Sequence, residues 1–141
     1  MKRTASAVWR GDLKSGRGAI STESAVLTAA PYSFGTRFEN GRGTNPEELI
    51  AAAHAGCFTM ALSLALQLAG FTADTIETTA TLTLENLPQT SWTVTTIHLA
   101  TVARVPGVTA AQFGELAAGA KAGCPISRLL KAEISLDAKL L

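Results

Sequence analysis

Cysteine is scarce in this chain: there are two, Cys57 and Cys124, in 141 residues. Two cannot build a disulfide framework, and a chain of this length buries enough surface to fold without one. They form no Cys-x-x-Cys pair, which removes the usual zinc spacings and a thioredoxin-like motif. Aromatics are few as well (two Trp, one Tyr, five Phe), so Ala, Leu and Thr must fill much of the interior. An excess of either sign of charge is missing: a net charge of +1 gives no electrostatic reason to expect nucleic acid or an anionic membrane as partner. No long apolar run is free of polar groups in the manner of a membrane span. The nearest, residues 49–69, carries His54, Thr59, Ser63 and Gln67, and a buried helix of a soluble protein fits it better. Met1-Lys2-Arg3 leads into a polar, alternating segment with no apolar stretch, so no secretory signal and a cytoplasmic location are expected. Linkers, repeats and low-complexity tracts are also wanting, which predicts a single domain over residues 1–141.

What is present is an apolar fraction of 47% against 16% charged, the balance of a chain with a sizeable core. The first third reads as strands and turns: residues 4–9 alternate, 15–18 are turn chemistry, 19–27 read as further strand, and 31–35 as a turn. A short segment over 36–39 then runs into the loop Asn40-Gly41-Arg42-Gly43. Asn45 is a good N-cap, Pro46 suits the first helical position, and Glu48 falls three after Asn45 as a reciprocal capping partner. Gly70 marks the other end of that helix. Its apolar residues cover every face, which predicts a central element covered on all sides. Residues 75–85 and 91–104 alternate and predict a hairpin across 86–90. Thr109 with Gln112 opens a second helix, Cys124-Pro125 begins a short one, and 132–141 reads as a half-buried strand. Strands gathered early and late around two helices predict an α+β fold with sheet packed on a helical layer.

Cys57 has two readings open from its position. It is either a small hydrophobe in the core or a reactive thiol that needs a cation brought to it, since it lies about three turns into its helix and gains little from the dipole. His54, three residues earlier, invites a Cys–His dyad, although no Asn or Asp is obviously placed to orient it; a satisfied, partly buried histidine is the plainer alternative. A zinc site from Cys57, Cys124, His54 and His98 matches known spacings poorly. Ser24 and Ser127 lack a nucleophile-elbow context, and Gly16 with Gly18 does not form a nucleotide fingerprint. Taken alone, Arg37 and Glu47 read as a surface charge and a helix N-terminal acid.

Assembled, the segments Thr36-Arg37-Phe38-Glu39, Gly43-Thr44-Asn45-Pro46-Glu47-Glu48-Leu49, His54-Ala55-Gly56-Cys57 and Lys121-Ala122-Gly123-Cys124-Pro125 resemble the OsmC/Ohr family of thiol peroxidases, and its OsmC branch more than its Ohr branch. The resemblance runs over essentially the whole chain. It implies an OsmC-like fold, antiparallel sheets packed around two central helices, in an intertwined homodimer with active sites at the subunit interface. It implies reduction of organic hydroperoxides, hydrogen peroxide less well, with no metal, haem or flavin cofactor and with lipoylated proteins or small dithiols as reductant. Carried onto this chain, Cys57 becomes the peroxidatic thiolate, Cys124 the resolving thiol, Arg37 the cation that lowers the Cys57 pKa, and Glu47 the group that holds Arg37. Glu48 is the less suited partner, being occupied in the cap. Glu47 and Cys57 stand ten residues apart on one helix, roughly 15 Å along its axis, so Arg37 either spans that gap or comes from a second subunit. An apolar wall from Phe58, Met60 or Phe34 is expected to bind the alkyl group. The competing functions are a non-catalytic redox sensor or ligand-binding module, and a Cys57–His54 hydrolase.

Overall fold

A computed structural model describes every residue, Met1–Leu141, and it resolves into two compact units, Met1–Leu49 and Ile50–Leu141. The first is built on an antiparallel sheet of β1 (Ala5–Arg10), β2 (Arg17–Thr22) and β3 (Ala30–Tyr32), in that order. The turn between β1 and β2 is closed by Asp12, whose carboxylate accepts from the Lys14 and Ser15 amides, both at 2.9 Å. Gly18 is required in β2 because a Cβ there would stand 2.2 Å from the Tyr32 ring, which packs on Trp9. β2 stops at Thr22, short of the strand expected over 19–27. The predicted turn at 31–35 is instead the end of β3 and the start of a short helix, α1 (Phe34–Phe38). Ser33 and Thr36 form a reciprocal capping box that starts α1, a signal the sequence reading overlooked.

The long helix α2 (Pro46–Leu68) begins and ends where its punctuation indicates. The Asn45 side-chain oxygen accepts from the Glu48 amide at 2.8 Å. The carboxylate of Glu48 does not return that bond; it accepts from the Thr44 hydroxyl at 2.6 Å, so the expected box is half formed. At the far end Gly70 takes φ +86°, and the Phe71 amide donates back to the Leu66 carbonyl at 2.9 Å. That is a Schellman closure, which satisfies carbonyls the helix would otherwise leave bare.

In the second unit β4 (Thr75–Leu87) and β5 (Ser91–Arg104) make the predicted hairpin. α3 (Ala110–Gly123) opens on the Thr109–Gln112 capping box, and α4 (Pro125–Leu129) precedes β6 (Glu133–Leu140). β6 lies beside β5 and parallel to it, so this sheet is mixed where a wholly antiparallel one was expected. The reason is the connection: α3 and α4 carry the chain back past β5, and a strand arriving by a helical crossover runs parallel.

The core of this unit joins Phe58, Leu62 and Leu66 of α2 to Leu99 and Ala103 of β5 and to Phe113, Ala117 and Ala120 of α3. Each large side chain there contributes about 1.5–3 kcal/mol by leaving water. Only one stripe of α2 is sunk in this way: His54, Phe58, Leu62 and Leu66, spaced by four. On another side Met60, Leu64 and Leu68 remain 76%, 55% and 80% exposed. A helix apolar all round was expected to be covered all round, and within this chain it is not. By length and composition alone α2 could also cross a membrane, yet its buried stripe is part of the core.

Candidate redox site

Two sulfurs meet in the second unit. α3 ends as the Cys124 amide donates to the Ala120 carbonyl at 2.9 Å, and Pro125, with no amide hydrogen to lose, starts α4. This corner sets the Cys124 thiol against Cys57 on α2, with Sγ–Sγ 3.0 Å. Both are free thiols, and a shift of about 1 Å would bring the sulfurs to the covalent separation of ~2.05 Å. Cys124 is fully buried, whereas Cys57 is half-buried. Cys57 opens onto a groove of about 670 Å³ lined by Met60, Ala61, Leu64, Leu68, Ala120 and Pro125. Of the residues expected to wall Cys57, Met60 is in this groove. Phe58 is not, because the next position on a helix points elsewhere and its ring lies wholly in the core. Phe34 belongs to the first unit.

Burial is the largest influence on Cys57 and pushes its thiol up; the hydrogen bond with Cys124 adds to this, and the Ile126 amide opposes it. Burial raises Cys124 too. There, however, the polar groups of Cys57, Ser127 and Ile126 around the sulfur outweigh it, and the thiol sits below its ordinary value. Left to these groups, the enclosed sulfur is the more acidic of the pair. The accessible sulfur has no cation among the groups that shift it.

His54 does not form the expected dyad. Its ring is fully buried, its Nε2 lies 2.7 Å from the Ser127 hydroxyl, and its Nδ1 has no partner. An unpaired buried polar atom of this kind costs about 1–3 kcal/mol. His98 is on the sheet, with Nδ1 2.7 Å from the Ser135 hydroxyl and Nε2 3.4 Å from Asp137. The four suggested zinc ligands therefore do not converge, and no group of three or more His, Cys, Asp and Glu is placed to hold a metal. Ser127 is the residue that sequence reasoning passed over. A faint signal existed: it lies three after Cys124, in the first turn of a helix, where a hydroxyl can turn back toward the residue that starts it.

The first unit holds Arg37 and Glu47 together. Arg37 sits in the last turn of α1 and Glu47 in the first turn of α2. The guanidinium donates through Nη2 at 2.6 Å and Nε at 3.0 Å to Oε1, and through Nε at 3.1 Å to Oε2. Glu47 is the more enclosed partner, with its side chain 15% exposed against 38% for Arg37. This forked geometry fixes the plane of the arginine as a point charge could not. The guanidinium also stands 5.1 Å from the Phe38 ring centre. It borders an apolar pocket of about 310 Å³ with Trp9, Leu13, Tyr32, Phe34 and Phe38.

A close pair of unequal thiols, with one sulfur enclosed and the other facing an apolar groove, is a candidate dithiol redox site on an α+β scaffold. The OsmC-like protein family model matches residues 39–139, and the chain belongs to that family. It is 54% identical over 132 residues to peroxiredoxin OsmC of Escherichia coli strain K12, covering 94% of this chain and 92% of the relative. Peroxiredoxin OsmC of Shigella flexneri matches equally. Among solved structures, the organic hydroperoxide resistance protein OhrB of Bacillus subtilis superposes with a TM-score of 0.69 at 23% identity, over 98% of both chains. An OsmC-like protein of unknown function from Vibrio cholerae gives a TM-score of 0.79 at 14% identity, over 98% of this chain and 99% of that one. These distant structures establish the fold.

Proposed function

We propose that this protein is a cysteine-based peroxidase that reduces organic hydroperoxides to alcohols, hydrogen peroxide less well. The observation that carries the reading is the pair of free thiols 3.0 Å apart with only Cys57 open to an apolar groove. The 54% identity to a peroxiredoxin over nearly the whole chain supports both the activity and the reading of residues 1–141 as one domain.

The Cys57 thiolate attacks the outer peroxide oxygen, the O–O bond breaks, and the alkoxide leaves as alcohol after taking a proton. Cys57 is left as a sulfenic acid. Cys124 then displaces hydroxide from that sulfur, water departs, and a Cys57–Cys124 disulfide forms. A dithiol, a lipoylated protein among the candidates, returns both thiols by exchange. No cofactor enters the cycle. Such cycling suits a reducing compartment, the cytoplasm.

Two features of the site call for a second subunit. Burial raises the Cys57 thiol, so the attacking thiolate needs a cation, and the Arg37–Glu47 pair is the built one. Glu47 begins α2 and Cys57 lies ten residues along it, roughly 15 Å away. We assign the cation beside Cys57 to Arg37 of the partner subunit, held by Glu47 of the partner subunit, in a homodimer. The exposed stripe Met60, Leu64 and Leu68 offers the apolar area for such an interface.

The test is dithiol-supported turnover of cumene hydroperoxide beside hydrogen peroxide, for wild type and Cys57→Ser. Fast turnover that favours the organic peroxide and disappears in Cys57→Ser is the expected result. Turnover of neither peroxide by folded, reduced protein would leave the sensing or ligand-binding alternative.

A further inference from the structure

His54 is a buried titratable side chain that the proposed chemistry does not use. As core filler an imidazole is a poor choice: Nδ1 has no partner, and an apolar side chain of similar volume would leave no polar atom orphaned. The ring does make one bond out of its helix. Nε2 lies 2.7 Å from the Ser127 hydroxyl, across 73 positions of sequence. Burial keeps the ring neutral near pH 7, with one hydrogen to place. On Nδ1 that hydrogen would be an orphaned N–H, so the network assigns it to Nε2, which donates to the Ser127 oxygen.

The place of this bond gives it a use. His54 and Cys57 are three apart on α2 and neighbours on its surface. Cys124 and Ser127 are three apart at the corner where α3 passes into α4. The two pairs face each other as two rungs, His54–Ser127 at 2.7 Å and Cys57–Cys124 at 3.0 Å. The second rung leans on the first, because α4 has little else to hold it. It is five residues long and none of them is buried. A helix so short has no stability of its own. Among its residues Ile126 alone packs on the core. The Arg128 amide donates to the Cys124 carbonyl at 3.0 Å, so the backbone of Cys124 moves with α4.

We propose that the His54–Ser127 hydrogen bond is a clasp that holds the α4 corner on α2, and that both residues are positioning residues for the Cys124 thiol. The inference rests on Cys57 and Cys124 acting as a redox pair. Held in this way, each thiol meets the other at a high effective concentration. In the peroxidase cycle the Cys124 sulfur attacks the sulfur of the Cys57 sulfenic acid. The S–S bond forms, the S–O bond breaks, and the hydroxide leaves as water with the Cys124 proton. With the clasp broken the corner samples other positions. The sulfenic acid then waits longer, and the finished disulfide is less stable against a dithiol.

Equilibration with reduced and oxidised dithiothreitol reads the clasp without any peroxide. The two cysteines give two electrons and two protons to the dithiothreitol disulfide, and acid-quenched thiols are counted by mass spectrometry. Ser127→Ala and His54→Phe should lower the equilibrium constant for the Cys57–Cys124 disulfide by about tenfold, the scale of one hydrogen bond, or about 30 mV for this two-electron couple. Ser127→Thr and His54→Gln each keep a group able to make the bond and should recover most of the loss; general damage to the fold would not be repaired so selectively. Ser127→Ala removes a single atom, so the test does not depend on the larger His54 replacement folding. A wild-type constant in Ser127→Ala overturns the proposal, as does a loss that threonine fails to repair. Wild type that forms no Cys57–Cys124 disulfide overturns it too. Wild type that forms the disulfide with dithiothreitol, loses it in Ser127→Ala as expected, yet turns over no cumene hydroperoxide would support the clasp and remove the peroxidase reading alone.

Discussion

At the scale of single residues, the guanidinium of Arg37 carries the heaviest demand. Removing it in Arg37→Ala should slow peroxide reduction about 10²- to 10³-fold, the cost of losing one preorganised charge-bearing donor. The rise of the rate with pH should also move upward, since the Ile126 amide alone does not offset the burial of Cys57. Arg37→Lys keeps the charge but cannot fork onto Glu47, so it should recover only part of the loss. A pH–rate profile identical to wild type in Arg37→Ala would remove Arg37 from the mechanism. His54 makes a second prediction, on stability. Its folded pKa is depressed below the ordinary 6.5 by burial. The unfolded chain therefore binds the proton more readily, and stability is full above pH 6.5 and declines as pH falls below it toward the folded pKa. Urea midpoints between pH 7.5 and 5 should fall less steeply in His54→Gln than in wild type. Parallel curves would mean that the ring charges as easily folded as unfolded.

Whole elements depend on a few punctuating residues, and α2 depends on two. Asn45→Ala removes the side-chain acceptor for the Glu48 amide and should cost about 1 kcal/mol. Gly70→Ala imposes a Cβ on a residue at φ +86° and should cost about 1 kcal/mol, although nothing would crowd the new methyl. Denaturant titration checks both, and each change should lower the midpoint without altering the slope. These ends were legible from Asn45-Pro46 and Gly70, because capping and a left-handed stop are decided within one turn. α1 was misread for a related reason: Ser33 and Thr36 cap only five residues, and so short a helix leaves no periodic pattern to find. The direction of β6 was beyond local reading, because alternation of Ile134, Leu136 and Leu140 is the same whichever way the neighbouring strand runs.

For the molecule as a whole, the question is what covers α2. The stripe of Met60, Leu64 and Leu68 lines the same groove as Cys57, so covering it bears on both association and substrate access. A homodimer closed over this face predicts a mass near twice the 14.6 kDa of the chain in sedimentation equilibrium. Leu64→Asp should then yield a monomer with peroxidase activity reduced in step, because in the proposed dimer the cation would reach Cys57 from the second subunit. A fully active Leu64→Asp monomer would return Arg37 to the same chain as Cys57.

The sequence by itself determined the α+β class, the bounds of the long helix, the hairpin, the second capping box, and the motifs around Arg37, Cys57 and Cys124 that mark the family. Each rests on interactions within a turn or on the order of residue types along the chain. Only the tertiary structure decided that the two sulfurs meet at 3.0 Å with one enclosed and one open, and that His54 turns to Ser127 and away from Cys57. Those contacts join positions 67 and 73 residues apart. They are fixed by how the corner between α3 and α4 packs against α2, a matter of core volume and burial that no stretch of local sequence encodes.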